Sequence, residues 1–257
     1  MLSDVIPVCV YPNGDGWEQF ANELNSDLGI ICAEIEDWAD YLPLDDQLVI
    51  AERQLSSFLL HRSVGCLHDI ACKRLNMHVE PLLFRDDYGR PRTNVGDINL
   101  SHSSGKVVLI AAPHHSVGID IEPRGRCLPE KSFHAWSRDE ERAWIATIDP
   151  KQRTASIVWL WTAKEAYAKA IGLGLNLPFR KIIVKPGRPS GHIGLASDAF
   201  GDEELDDIVT WSDIIPGFIV SSVRISHDKA YGIRQSVGAN RDLGSFCNIG
   251  KVRNVRK

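Results

Sequence analysis

Residues 158–175 read VWLWTAKEAYAKAIGLGL, and this stretch decides how the chain is understood. Ahead of it, Asp149 and Pro150 supply a capping side chain and a residue suited to the first helical position. Gly172 offers the left-handed stop. The pattern predicts a helix from about Pro150 to Ile171. At 3.6 residues per turn, Trp161, Glu165 and Lys169 stack on one stripe, and Lys164 is rotated about 100° away. A carboxylate and an ammonium therefore share a face. By itself that is no more than a surface pair contributing ~0.3 to 0.5 kcal/mol.

Upstream, residues 116–122 read SVGIDIE, in which Ile119 and Ile121 alternate with Asp120 and Glu122. On a strand, this puts two carboxylates on one face. That face is either a solvated edge or a site for a hard cation such as Mg²⁺, which prefers oxygen ligands. Residues 85–97, RDDYGRPRTNVGD, form a basic loop broken by Gly89, Pro91 and Gly96. The loop runs into INLSHSSGK (98–106) and an apolar strand over 107–112. The cluster from Ser101 to Ser104 either caps a turn or holds a phosphate. A Ser-His nucleophile ranks last, since sequence adjacency does not set a base against a hydroxyl and G-x-S-x-G is absent. His114-His115 reads as exposed loop.

The rest of the chain carries less chemistry. Short strands are expected over Val5–Tyr11 and, as an antiparallel sheet, over 181–185, 191–196, 208–211, 218–225 and Tyr231–Gln235. Helices are expected over Trp17–Leu28, over Asp46–Arg74 with a break at Gly65, and after a capping box formed by residues 137–140. Arg53 and Arg62 ride the second of these. From Ser236 a Gly- and Asn-rich basic stretch reads as a loose tail. The 257 residues suit one large domain or two small ones, and the net charge of −5 disfavours generic nucleic-acid binding. A signal segment and an apolar run of ~20 residues are both lacking, which places the expected protein in the cytoplasm and off the membrane. Six cysteines without any C-x-x-C indicate neither zinc nor disulfides, and reduced, mostly buried thiols are expected.

SVGIDIE, about forty residues, then WTAKEAYAKAIGLGL, all preceded by YGRPR and NLSHS, resemble the 4′-phosphopantetheinyl transferases, and in W-x-x-K-E-A their surfactin-type group. The resemblance covers about residues 48–184. It implies an α+β monomer of two similar α/β halves related by a pseudo-twofold axis, residues 1–115 and 116–235, followed by a tail at 236–257. The implied active site lies in the cleft between the halves. Asp120, Glu122 and Glu165 are the implied metal carboxylates and Lys169 the lysine beside the pyrophosphate. Arg90, Ser101 and His102, with Arg53 and Lys164 as weaker matches, are the implied contacts to coenzyme A. The implied reaction is Mg²⁺-dependent transfer of phosphopantetheine from coenzyme A to a serine of an apo acyl or peptidyl carrier protein, releasing adenosine 3′,5′-bisphosphate. Glu165 stands either as general base or only as ligand. Where family members carry basic residues before the long helix, this chain has Asp37, Asp40, Asp45 and Asp46. The rival readings are an idle coenzyme A or carrier-binding module and a Mg²⁺-dependent phosphohydrolase.

Overall fold

The computed structural model describes residues 7–43, 47–185, 190–195, 206–211 and 215–236. The expected tail, apart from Ser236, lies outside the described residues, as do Asp45 and Asp46.

The first part of the chain builds β1 (Val8–Cys9), α1 (Trp17–Ser26), β2 (Gly29–Glu34), a short α2 (Ile35–Trp38) and the long α3 (Leu48–Leu75). A hairpin of β3 (Leu83–Arg85) and β4 (Pro91–Thr93) follows, then β5 (Asp97–Ser103) and β6 (Lys106–Ala112). These give a four-stranded sheet in the order β1-β2-β6-β5, with β1 parallel to β2 and the other pairs antiparallel. The second part builds β7 (His115–Pro123), α4 (Glu130–Trp136), α5 (Asp139–Thr147) and α6 (Pro150–Ile171). Then come β8 (Ile182–Lys185), β9 (Ser190–Leu195), β10 (Asp206–Trp211), β11 (Phe218–Ser226) and α7 (His227–Ser236). Its sheet is antiparallel throughout, in the order β7-β11-β10-β9-β8.

Alternation along the strands places three cores. Ile31, Val107 and Leu109 meet Leu55, Leu59 and Leu67 of α3, while Val223 and Ile225 meet Tyr167 and Ile171 of α6. The opposite strand faces, Ile30, Val108 and Ile110 on one sheet and Ile119, Ile121 and Val220 on the other, pack in a shared third core. The outcome is helix, sheet, sheet, helix, a mixed α/β architecture.

Several sequence expectations need correction. Helix α3 runs through Gly65 unbroken, because an exposed helical glycine costs only about 1 kcal/mol. Tyr231–Gln235 is helix, not strand: Ala230 and Ile233, three residues apart, are its buried face. The expected loop 85–97 contains half of a hairpin. The cap of α5 falls one residue later than expected, with the Arg138 amide donating to Glu141 Oε2 at 2.9 Å. All five described cysteines are unpaired, but only Cys32 is buried.

Candidate functional site at the seam between the sheets

An edge strand leaves a row of N–H and C=O groups that need partners. On the free edge of β7 those partners are side chains of β5 and its neighbours. Val117 N donates to Asp97 Oδ2 at 2.8 Å and Ile119 N to Asn99 Oδ1 at 3.0 Å. Val117 O accepts from Arg90 Nη2 at 2.8 Å and Ile119 O from Lys169 Nζ at 3.2 Å. Two residues further along the same register, β5 offers Ser101 and Ser103, and these meet the carboxylates.

Ser101 Oγ donates to Asp120 Oδ1 at 2.7 Å, and Ser103 Oγ donates to Glu122 Oε2 at 3.2 Å. The second Glu122 oxygen pairs with Arg126, whose guanidinium lies over the Trp161 ring. Asp120 is 5% exposed, so the solvated-edge reading of D-x-E does not describe it. Lys169 reaches over from α6, with Nζ at 2.7 Å from Asp120 Oδ1 and 3.0 Å from Ser101 Oγ. Close approach of α6 to β7 allows this. A Cβ at Gly118 would collide with the Ala166 carbonyl, so only glycine fits there.

Glu165 lies on the same stripe as Lys169. Burial pushes its carboxyl up to about 7, with Lys169 and Arg126 opposing the rise and the Asp120 charge adding to it. Asp120 Oδ2 is buried and has no hydrogen-bond partner. The unpartnered Asp120 oxygen, with the Glu122 and Glu165 carboxylates near it, offers a hard-oxygen donor set that fits Mg²⁺. The three carboxylates do not form a closed cage. Among the described residues, the one group of three ligand atoms within 4.8 Å of one another is His68, Cys72 and His78.

His102 Nδ1 is 2.8 Å from Glu52 Oε2, and the other Glu52 oxygen accepts the Gly105 amide at 2.7 Å. Glu52, which sequence reading passed over, thereby ties α3 to the β5–β6 turn and fixes the imidazole. With Nδ1 committed, Nε2 is the ring atom left for a ligand. Arg53 is exposed on α3 beside Glu52.

Two expected coenzyme A contacts do not sit as anticipated. Arg90 is 7% exposed and ion-paired with Asp97 at 2.5 Å, bridging the two sheets. Burial works against the Asp97 charge, yet Arg90 and Arg92 hold its carboxyl below the usual carboxylate range. These contacts engage Arg90 Nη2 alone, while Nε and Nη1 are buried without a hydrogen-bond partner. Lys164 is fully buried on the other side of α6, donating to Glu141 Oε2 at 2.7 Å and to Phe179 O at 3.0 Å. It points into the second core because it sits one residue off the Glu165 stripe, about 100° around the helix. Glu141 serves Lys164 and the α5 cap with the same oxygen.

The assembled parts define a class: a seam between two sheets, lined by strand and helix carboxylates and a helix lysine, suited to a cation and a phosphate. Residues 116–209, which carry Asp120, Glu122, Glu165 and Lys169, match the family model of the 4′-phosphopantetheinyl transferase superfamily. Among curated relatives, the 4′-phosphopantetheinyl transferase gsp of Aneurinibacillus migulanus is 38% identical over 109 residues, covering 40% of this chain and 44% of that protein. The 4′-phosphopantetheinyl transferase of Bacillus subtilis is 30% identical over 114 residues, covering 42% and 49%. The chain thus spans under half the length of these relatives. Among solved structures, the Thermotoga maritima holo-[acyl-carrier-protein] synthase matches at 27% identity and a TM-score of 0.36, covering 43% of this chain and 62% of that one. The Bacillus anthracis synthase solved with coenzyme A matches at 22% and 0.37, covering 44% and 97%. These likenesses are too partial to define the fold.

Proposed function

We propose that this chain transfers the 4′-phosphopantetheine moiety of coenzyme A to a serine hydroxyl of an apo acyl or peptidyl carrier protein, releasing adenosine 3′,5′-bisphosphate. The observation that carries the reading is the meeting of Asp120, with its orphaned buried oxygen, and Lys169 at one seam, inside the matched superfamily domain. Asp120, Glu122 and Glu165 would hold Mg²⁺. The bound ion would offset the charge of the pyrophosphate and polarise its oxygens.

The serine oxygen attacks the phosphorus bearing the pantetheine arm. A new P–O bond forms, the bond to the bridging oxygen of the pyrophosphate breaks, and adenosine 3′,5′-bisphosphate leaves. The serine proton must go to an acceptor, and Glu165 is half-buried, has its carboxyl pushed up to about 7 and is free of hydrogen bonds among the described residues. The carboxylate therefore suits general-base work near neutral pH. Lys169 offers an ammonium to the departing phosphate, having Ser101 and Asp120 to orient it. His102, backed by Glu52, and the exposed Arg53 are the phosphate contacts we propose on α3 and β5.

The same reading takes residues 1–115 and 116–235 as two similar halves of a cytoplasmic monomer with a pseudo-twofold axis. In its support, each sheet carries one long helix, α3 or α6, and the site residues come from both. No described helix is long and apolar enough to cross a membrane. Purified protein with coenzyme A, Mg²⁺ and apo carrier domains, followed by weighing the carriers, tests the activity.

A further inference from the structure

The C-terminal turn of α3, far in chemistry from the carboxylate seam, gathers a different set of ligands. His68 and Cys72 are four residues apart and stack on one helix face, with Cys72 Sγ 3.2 Å from His68 Nε2. The helix then ends at Asn76, whose φ of 50° is left-handed, and the Cys72 carbonyl accepts both the Asn76 and Met77 amides. That reversal folds His78 back on the last turn. Its ring stands edge-on to His68, with centroids 5.6 Å apart at 84°. One ligand atom from each of the three residues lies within 4.8 Å of the others. Two carboxylates stand behind them: Asp69 Oδ1 is 3.4 Å from His68 Nδ1, and Glu80 Oε1 is 3.4 Å from His78 Nε2.

We propose that His68, Cys72 and His78 form a binding site for a borderline-soft divalent ion, Zn²⁺. The donor set of one sulfur and two imidazoles excludes Mg²⁺ and Ca²⁺, which require oxygen, and suits Zn²⁺. Zn–N bonds of about 2.0 to 2.1 Å and a Zn–S bond of about 2.3 Å make tetrahedral edges of about 3.4 to 3.7 Å. The Cys72–His68 separation is close to that, and the third ligand closes the figure by a side-chain shift of about 1 Å. Asp69 against the rear nitrogen of His68 is the carboxylate–histidine arrangement that orients a metal-bound imidazole. On binding, the Cys72 thiol releases its proton to solvent and its sulfur bonds the ion, while water fills the fourth position. The ion would clip the end of α3 to the segment leading into β3. Searching for paired cysteines misses such a site, because its signal is a His and a Cys at helical spacing with a His beyond the cap.

Titration of metal-free, full-length protein with Co²⁺ as a Zn²⁺ surrogate reads the site directly, since only a thiolate ligand gives a sulfur-to-cobalt charge-transfer band. The oxygen seam cannot produce that band. We expect the band to saturate at about one ion per chain and to be displaced by Zn²⁺. It should vanish in Cys72→Ser, survive in Cys66→Ser, and require at least about tenfold more metal in His78→Ala. Zn²⁺ should raise the Tm of the parent and not of Cys72→Ser. His78 is exposed outside the helix, so its variant reports even where Cys72→Ser folds poorly. Absence of the band, its persistence in Cys72→Ser, or its loss in Cys66→Ser overturns the site.

Discussion

Lys169 Nζ lies 2.7 Å from Asp120 Oδ1, joining α6 to β7 at the point where β5 also delivers Ser101. Asp120 is consequently tied to both sheets while one of its oxygens has no partner. If that oxygen is a ligand in the working protein, Asp120→Asn should leave the fold intact and lower transfer by at least about 100-fold. Steady-state rates at saturating Mg²⁺, with circular dichroism as the folding control, check this. Full Mg²⁺-dependent activity in the variant would remove Asp120 from the site.

Glu165 makes a stability prediction with a definite sign. Its carboxyl titrates at 4.5 when unconstrained and at about 7 in the fold. Below the first value both states are protonated and ionisation costs nothing. As pH rises through the window between the two values, the unfolded state ionises first and the folded state loses on the order of 3 kcal/mol, all of it lost above about pH 7. In EDTA, Glu165→Gln should therefore match the parent Tm near pH 4 and exceed it near pH 8. A Tm difference that does not change with pH would mean the carboxyl is not held up by burial.

Arg90 and Lys164 should behave as structural groups. Each belongs to a buried pair, with Asp97 and Glu141 respectively, and removing one partner leaves the other charged and buried. Arg90→Ala and Lys164→Ala should each cost about 3 to 5 kcal/mol, read by urea unfolding. A stable Arg90→Ala variant with a raised KM for coenzyme A would return Arg90 to phosphate binding.

For His102 the expectation is a binding effect. A lost charge-assisted hydrogen bond of about 1.5 to 3 kcal/mol corresponds to a rise in coenzyme A KM of about 10- to 150-fold in His102→Ala, with kcat little changed. Glu52→Gln should move the same parameter less, because it loosens the ring without removing it. A fall in Tm with no change in KM would make the Glu52–His102 pair a turn fastener only.

Helix α6 was legible because its ends carry local chemistry, Asp149 and Pro150 at one and Gly172 at the other, and the structure caps it as those residues require. Ile119–Glu122 was legible by alternation alone. The partners were not. Nothing near Arg90 in sequence distinguishes a guanidinium that binds phosphate from one that Asp97 accepts, since the choice is made when β5 meets β7. Lys164 was nearly legible, because its 100° offset from Glu165 already points it elsewhere, and the family likeness outweighed that geometry. In α7, Tyr231 and Ile233 carry strand propensity, and the three-residue spacing of Ala230 and Ile233 overrides it through burial. Glu52 escaped because its role depends on a turn fifty residues away in sequence.

The central claim is tested most directly by incubating the protein with coenzyme A, Mg²⁺ and a panel of apo carrier domains, then weighing intact carriers and their serine-bearing peptides. The account predicts a gain of one phosphopantetheine on a single serine of at least one carrier, matched by an equal amount of adenosine 3′,5′-bisphosphate and abolished by Asp120→Asn. Unmodified carriers with coenzyme A hydrolysed, or with coenzyme A bound and intact, would contradict it.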